Sequence, residues 1–220
     1  MKAILFGSIG TLSDTSELQR AAFNEAFQAH GLDWHWDRSA YRTLLTEAGG
    51  QRRIEEEAQR RGATIDASSV HSMKTRIFQN WLQAGRAKLR PGVLELLGRA
   101  SEMELPTGLV TTTDRRSVDN LLAGTGLDQG LFHTIVSRDQ VRAPKPAPDC
   151  YDLAAATLAA APEDCVVIED NVDGVRSALS SGMTCFAWPN ENTAHHDFGD
   201  AILVRRDISD AVFPVSCAAE

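Results

Sequence analysis

The 220-residue sequence predicts an α/β protein, a Rossmann-like parallel sheet core with an inserted helical cap domain. Two observations carry this. Short apolar runs at 107–112, 134–137, 165–169 and 184–188 alternate with segments of helical character. Such alternation implies a parallel sheet with right-handed crossovers. The later runs recur about every 20 to 30 residues, as βαβ units do, whereas roughly 100 residues without a convincing strand separate the first from the second. That stretch is therefore an insertion after the first strand. The expected division is a core of residues 1–14 and 88–220 and a helical cap of residues 15–87.

The chain is organised around residues 3–14, A-I-L-F-G-S-I-G-T-L-S-D. Its apolar start, with Ile4 and Phe6, reads as a short buried strand. Gly7, Ser8, Ile9, Gly10 and Thr11 then read as a tight loop. Backbone N–H groups in such a loop can approach a ligand closely, because glycine has no Cβ, and ligands sit at this edge of open α/β sheets. Asp14 and Glu17 form an acceptable capping pair for the next helix. Residues 15–30 place Leu18, Ala22, Phe23, Ala26 and Phe27 on one helical face, and Gly31 ends that helix in the left-handed position. Residues 38–86 continue as helical segments broken at Gly49-Gly50, Gly62 and Gly85. Beyond Pro91, helices are expected at 93–103, 117–123, 149–161 and 172–181, the third stopped by Pro162 and the last by Gly182. The run 165–169 reads as a strand covered on both faces, and 201–204 is a candidate last strand.

Composition narrows the function classes. The chain is 43% hydrophobic and 24% charged, as in soluble globular proteins, and no apolar run approaches the roughly 20 residues that span a bilayer. Met1-Lys2 leads straight into the first strand, with no signal-peptide pattern. A net charge of −8 argues against non-specific nucleic-acid binding. Cys150, Cys165, Cys185 and Cys217 lack metal-ligand spacing and read as reduced core thiols. His195-His196 is a weak metal signal. Cytoplasmic residence is the default expectation.

The segment F-G-S-I-G-T-L-S-D resembles the first motif of the haloacid dehalogenase superfamily, hydrophobic-D-x-D-G-T-L-x-D. Gly10, Thr11 and Leu12 match it. Gly7 stands where the nucleophilic aspartate would be, and Ile9 where the general acid/base would be. Three later pieces follow in the family's order: Thr111-Thr112-Thr113, Lys145-Pro146-Ala147-Pro148-Asp149, and Val166-Val167-Ile168-Glu169-Asp170-Asn171-x-x-Gly174. Residues 31–37, Tyr41 and Gly49-Gly50-x-x-Arg53-Ile54 are similar to the CbbY-type branch, which contains sugar-bisphosphate phosphatases allied to β-phosphoglucomutase.

The resemblance implies roles, residue by residue. Phosphoryl transfer needs a nucleophile, a proton donor, cations for the phosphate and a metal. No catalytic acid is intact, because Gly7 has no side chain and Ile9 keeps only its carbonyl. Ser8 is a substitute nucleophile in name only, since in the family that side chain points away from the phosphate. Thr111, Thr112 and Lys145 match the phosphate-binding groups. Glu169 and Asp170, with the Ile9 carbonyl, match the Mg²⁺ ligands, a site weakened by the missing carboxylate. In the cap, Glu17, Gln19 and Arg53 match substrate-facing positions, although Gln19 replaces a histidine and Gln51 a lysine. Arg52 adds a cation that the pattern lacks. Trp34, Trp36 and Tyr41 read as cap packing.

The expected ligand is a small phosphorylated sugar or other anion, bound by a monomer or weak dimer without nucleic acid or membrane. The favoured function is a catalytically impaired hydrolase homologue acting as a binding or regulatory protein. The alternatives are an active phosphatase using a metal-bound water at Glu169 and Asp170, and an interaction protein with a vestigial pocket.

Overall fold

The structure, a computed structural model, describes residues 1–7, 9–46, 49–205 and 207–214; Ser8 and Cys217 lie outside them. Six strands among these residues form one parallel sheet: β1 (Ala3–Phe6), β2 (Thr107–Val110), β3 (Thr134–Val136), β4 (Cys165–Glu169), β5 (Thr184–Ala187) and β6 (Ile202–Leu203). The order is β3-β2-β1-β4-β5-β6. The helices are α1 (Ile9–Leu12), α2 (Ser16–Ala29), α3 (Arg38–Thr43), α4 (Gly50–Arg61), α5 (Ala67–Gln83), α6 (Val93–Glu102), α7 (Arg115–Thr125), α8 (Asp149–Thr157), α9 (Val172–Ser180) and α10 (Ile208–Val212).

Side chains alternate across a strand, and here both faces are covered. Ala3 and Leu5 join Val110, Val167 and residues of α8 and α9; Ile4 and Phe6 join Leu109, Ile168 and residues of α6, α7 and α10. In β1, Phe6 stands opposite Leu109 on one side and Ile168 on the other. That register ends three strands together, so Gly7, Val110 and Glu169 meet at the carboxyl edge of the sheet.

Helices α2 to α5 lie between two adjacent strands, β1 and β2, as an insertion should. They enclose their own apolar cluster, with Phe23, Phe27, Trp34, Trp36, Tyr41, Ile54 and Val70 buried. The Phe27 and Trp36 rings meet edge to face at 4.8 Å, so these aromatics are packing, as expected. Helix α5 also leans on α7. Gln79 bonds both Ser117 and Asn120, and Gln83 Nε2 donates to Asn120 Oδ1 at 3.0 Å. At Gly124 the backbones nearly touch: a Cβ there would lie 2.9 Å from the Leu82 carbonyl carbon and nearer still to its oxygen.

Several sequence expectations change in detail. The loop after β1 winds into the single turn of α1, with Ser13 N donating to Ile9 O at 2.8 Å. The Asp14–Glu17 capping pair does not form. Asp14 accepts from Ser16 N at 3.0 Å, and Glu17 is drawn outward by Arg20 and Arg38, each at 3.0 Å. Helix α8 stops at Thr157, well short of Pro162, because Ala159 takes a left-handed conformation (φ 52°). The short α10 was not expected; Ile208 and Val212 dock it against the sheet. Cys150, Cys165 and Cys185 are buried and free, as expected. No helix among the described residues is long and apolar enough to cross a membrane.

Candidate functional site

Lys145 lies at the carboxyl edge of the sheet, where β1, β2 and β4 end. Its ammonium donates to Glu169 Oε1 at 2.6 Å, Val110 O at 2.8 Å, the Tyr151 hydroxyl at 3.1 Å and the Gly7 carbonyl. An ammonium has three protons, and four acceptors surround this one. The Lys145 side chain is 5% exposed and that of Glu169 is fully buried. Tyr151 also donates to Glu169 Oε1 at 2.8 Å. The other oxygen, Oε2, accepts from Asp170 N at 3.1 Å and Asn171 Nδ2 at 3.0 Å. Burial pushes the Glu169 carboxyl up, and Lys145 pulls it back. Burial and the adjacent Glu169 hold the Tyr151 phenol well above its ordinary range.

Two glycines make room for this arrangement. A Cβ on Gly7 would lie 2.5 Å from Glu169 Cγ and nearer still to its carboxylate, and a Cβ on Gly174 would overlap the same carboxylate. Glu169 thus fills the space into which a side chain at position 7 would grow.

Asp170 faces a different set. Its Oδ1 accepts from Thr11 Oγ1 at 3.2 Å and Asn171 Nδ2 at 3.3 Å, and Asn190 Nδ2 approaches Oδ2 at 3.5 Å. Arg90 is stacked on the Trp188 ring, 3.5 Å from its centroid. It donates to the carbonyls of Trp188 (2.9 Å), Pro189 (3.0 Å) and Gly10 (3.4 Å), tying the loop after β5 to α1. Burial lowers its pKa, and Asp170 and Asp14 oppose that shift.

Mg²⁺ takes six oxygens in near-octahedral array. Glu169 is turned onto Lys145, and the Ile9 carbonyl already accepts from Ser13 N. Among the described residues no third acidic group joins Glu169 and Asp170; the one acidic trio close enough to share an ion is Glu95, Asp207 and Asp210, all exposed.

The predicted phosphate residues converge in part. Thr111 directly follows Val110; it is buried, and its hydroxyl oxygen accepts from Thr113 N at 3.1 Å. Thr112 beside it is exposed. In the cap, Gln19 Oε1 accepts from Lys74 Nζ at 3.0 Å. Lys74 is buried between the rings of Phe23 and Phe78, at 4.7 and 5.0 Å. No carboxylate among the described residues pairs with it. Burial, with the Arg53 charge in support, lowers its pKa to about 8. Burial, Lys74 and Arg53 together depress His71. Arg53 Nε donates to Leu44 O at 2.6 Å. The cap therefore gathers the cations Arg53 and Lys74 with the polar side chains of Gln19 and His71, while Glu17 is engaged by Arg20 and Arg38.

Residues 1–182 match the haloacid dehalogenase-like hydrolase family. Protein CbbY of Rhodobacter capsulatus is 38% identical over 216 residues, which cover 96% of this chain and 95% of that protein. The chain belongs to the haloacid dehalogenase-like hydrolases, in their CbbY-type branch. CbbY of Cereibacter sphaeroides is 37% identical over 206 residues, 91% of this chain and 90% of that one. A crystal structure of a CbbY variant from Rhodobacter sphaeroides in complex with xylulose-(1,5)bisphosphate matches with a TM-score of 0.82 at 37% identity, covering 93% of each chain. CbbY from the same organism in complex with phosphate matches at 0.83 and 34% identity, covering 96% of each.

Sequence reasoning overlooked Tyr151, Arg90 and Lys74 in this CbbY-type hydrolase. Lys74 left a signal: it sits four residues from both Val70 and Phe78, inside the apolar stripe of α5, where a lysine is out of place. Tyr151 and Arg90 left none, because each acts through contacts with residues distant in sequence.

Proposed function

We propose that this chain binds a phosphorylated sugar through the CbbY-type site and does not hydrolyse it. One observation carries the reading: the buried cation at the sheet edge, Lys145, is matched by Glu169 over a glycine, where the family resemblance calls for a nucleophilic aspartate at position 7. Ile9 supplies no proton to a leaving oxygen. Loss of a catalytic nucleophile costs several orders of magnitude in rate. Thr111, Thr112 and Lys145 would receive one phosphate. Gln19, Arg53, His71 and Lys74 would face the sugar and any second anionic group from the cap, residues 15–87, above the core of residues 1–14 and 88–220. The sugar bisphosphate and phosphate held by the CbbY relatives support this class of ligand.

Thermal denaturation with xylulose-1,5-bisphosphate and with inorganic phosphate tests the reading, alongside a phosphate-release assay with and without Mg²⁺. A ligand at 100 times its Kd stabilises by about 2.7 kcal/mol, which for a chain of this size raises Tm by roughly 5–10 °C. The expected result is such a rise, unaffected by chelator, with no phosphate released. Turnover at an ordinary phosphatase rate, or no shift with any phosphate ester, would overturn it.

A further inference from the structure

We infer that Glu169 is an internal occupant of the anion site: it holds Lys145 while the site is empty, and an incoming phosphate dianion must displace it. The inference rests on the phosphorylated-ligand reading above and adds how that site is regulated.

The geometry supplies the argument. Every proton of Lys145 is already taken by the ring of Glu169, Val110, Tyr151 and Gly7 acceptors. The ammonium can reach a phosphate oxygen only by releasing one of them. The Val110 carbonyl belongs to the end of β2, paired with β3, and Gly7 directly follows β1 with its own N–H bonded to Ile168 O at 2.8 Å, so neither backbone is free to swing aside. Tyr151 is anchored on α8. Of the four, Glu169 alone is negatively charged, and its three side-chain torsions let it turn away once its bonds to Lys145 and Tyr151 break. A phosphate dianion beside it would set like charges against one cation in a buried setting, where their repulsion is strong. Ligand and Glu169 therefore exclude each other at Lys145. The space that admits Glu169 exists only because positions 7 and 174 lack a Cβ, so this competition belongs to the Gly7 chain. A binding site whose competent state is a fraction of the population loses apparent affinity by that fraction.

Isothermal titration of inorganic phosphate into the full chain, with chelator present and ionic strength fixed, tests this. Glu169→Gln keeps the side chain's size and removes its charge. Glu169→Asp shortens the arm by one carbon, about 1.5 Å, too far to keep a 2.6 Å bond to Lys145. Both variants are expected to bind phosphate at least 10-fold more tightly than the wild type, and if one fails to fold the other serves alone. Equal or weaker binding by the variants, with phosphate bound by the wild type, overturns the inference and leaves the ligand reading standing. No binding by wild type or variants, with no thermal response of the wild type to the sugar bisphosphate, overturns both.

Discussion

Gly7→Ala probes the placement of Glu169 with a single methyl group. Gly7 is not among the glycines with positive φ, so alanine fits the backbone without strain. In open space the change would stabilise the chain by about 0.4–1 kcal/mol, through the unfolded state. Here the new Cβ would lie 2.5 Å from Glu169 Cγ, with the carboxylate nearer still. Glu169 must leave, and with it go the 2.6 Å bond to Lys145 and the 2.8 Å bond from Tyr151. With Glu169 gone no overpacking remains, and separating the buried pair costs about 3–5 kcal/mol. The net expectation is a loss of roughly 2–5 kcal/mol, or a Tm lower by roughly 5–20 °C at 2–4 °C per kcal/mol. The Glu169→Ala background reverses the sign. Lys145 is already without its partner there, the space is vacant, and the same methyl raises Tm by roughly 1–4 °C. Thermal and urea unfolding of the four proteins give the coupling directly. If Gly7→Ala leaves the wild-type Tm unchanged or raises it, Glu169 does not occupy that space.

Two further outcomes follow from packing and charge. Burial lowers the Lys74 pKa to about 8 in the folded chain against 10.5 unfolded, so between these pH values the unfolded chain binds the extra proton and stability rises with pH at about 1.36 kcal/mol per unit; chemical denaturation at pH 7.5 and 9.5 should show a rise of about 2 kcal/mol in the wild type and lose it in Lys74→Met. Gly124→Ala drives a Cβ into the Leu82 carbonyl, where neither backbone can yield; Tm should fall by several degrees, and proteolysis between α5 and α7 should quicken.

The architecture was legible because its signals are local. Runs of apolar residues at βαβ spacing marked the strands, and the long gap before 107 marked the inserted helices. Misreadings cluster where a short element depends on distant partners. Helix α10 is five residues long and has no periodicity to read; it exists because Ile208 and Val212 find the core. The Asp14–Glu17 pair matched a capping pattern, but Arg20 and Arg38 compete for Glu17 and win. The site was legible as a set of residue types. Lys145, Thr111, Glu169 and Asp170 do gather at one sheet edge. Their mutual orientation was not legible, because it turns on the overlap of positions 7, 169 and 174, which only the parallel register of β1 and β4 brings together.

That overlap changes what a surviving motif means. A lysine 5% exposed at the end of three strands is costly without a counter-charge, since removing one partner of a buried pair costs about 3–5 kcal/mol. Losing the carboxylate of position 7 would leave Lys145 in that state. Here Glu169 supplies the counter-charge, and Gly7 leaves room for it. Lys145 and Glu169 then stabilise each other, whether or not any ester is cleaved. Lys145-Pro146-Ala147-Pro148-Asp149 and Glu169-Asp170 thus report the charge balance of the buried edge as much as the chemistry the family built there. The phosphate-binding experiment on Glu169→Gln separates the two, because removing the acid weakens a structural pair and frees a binding cation in the same step.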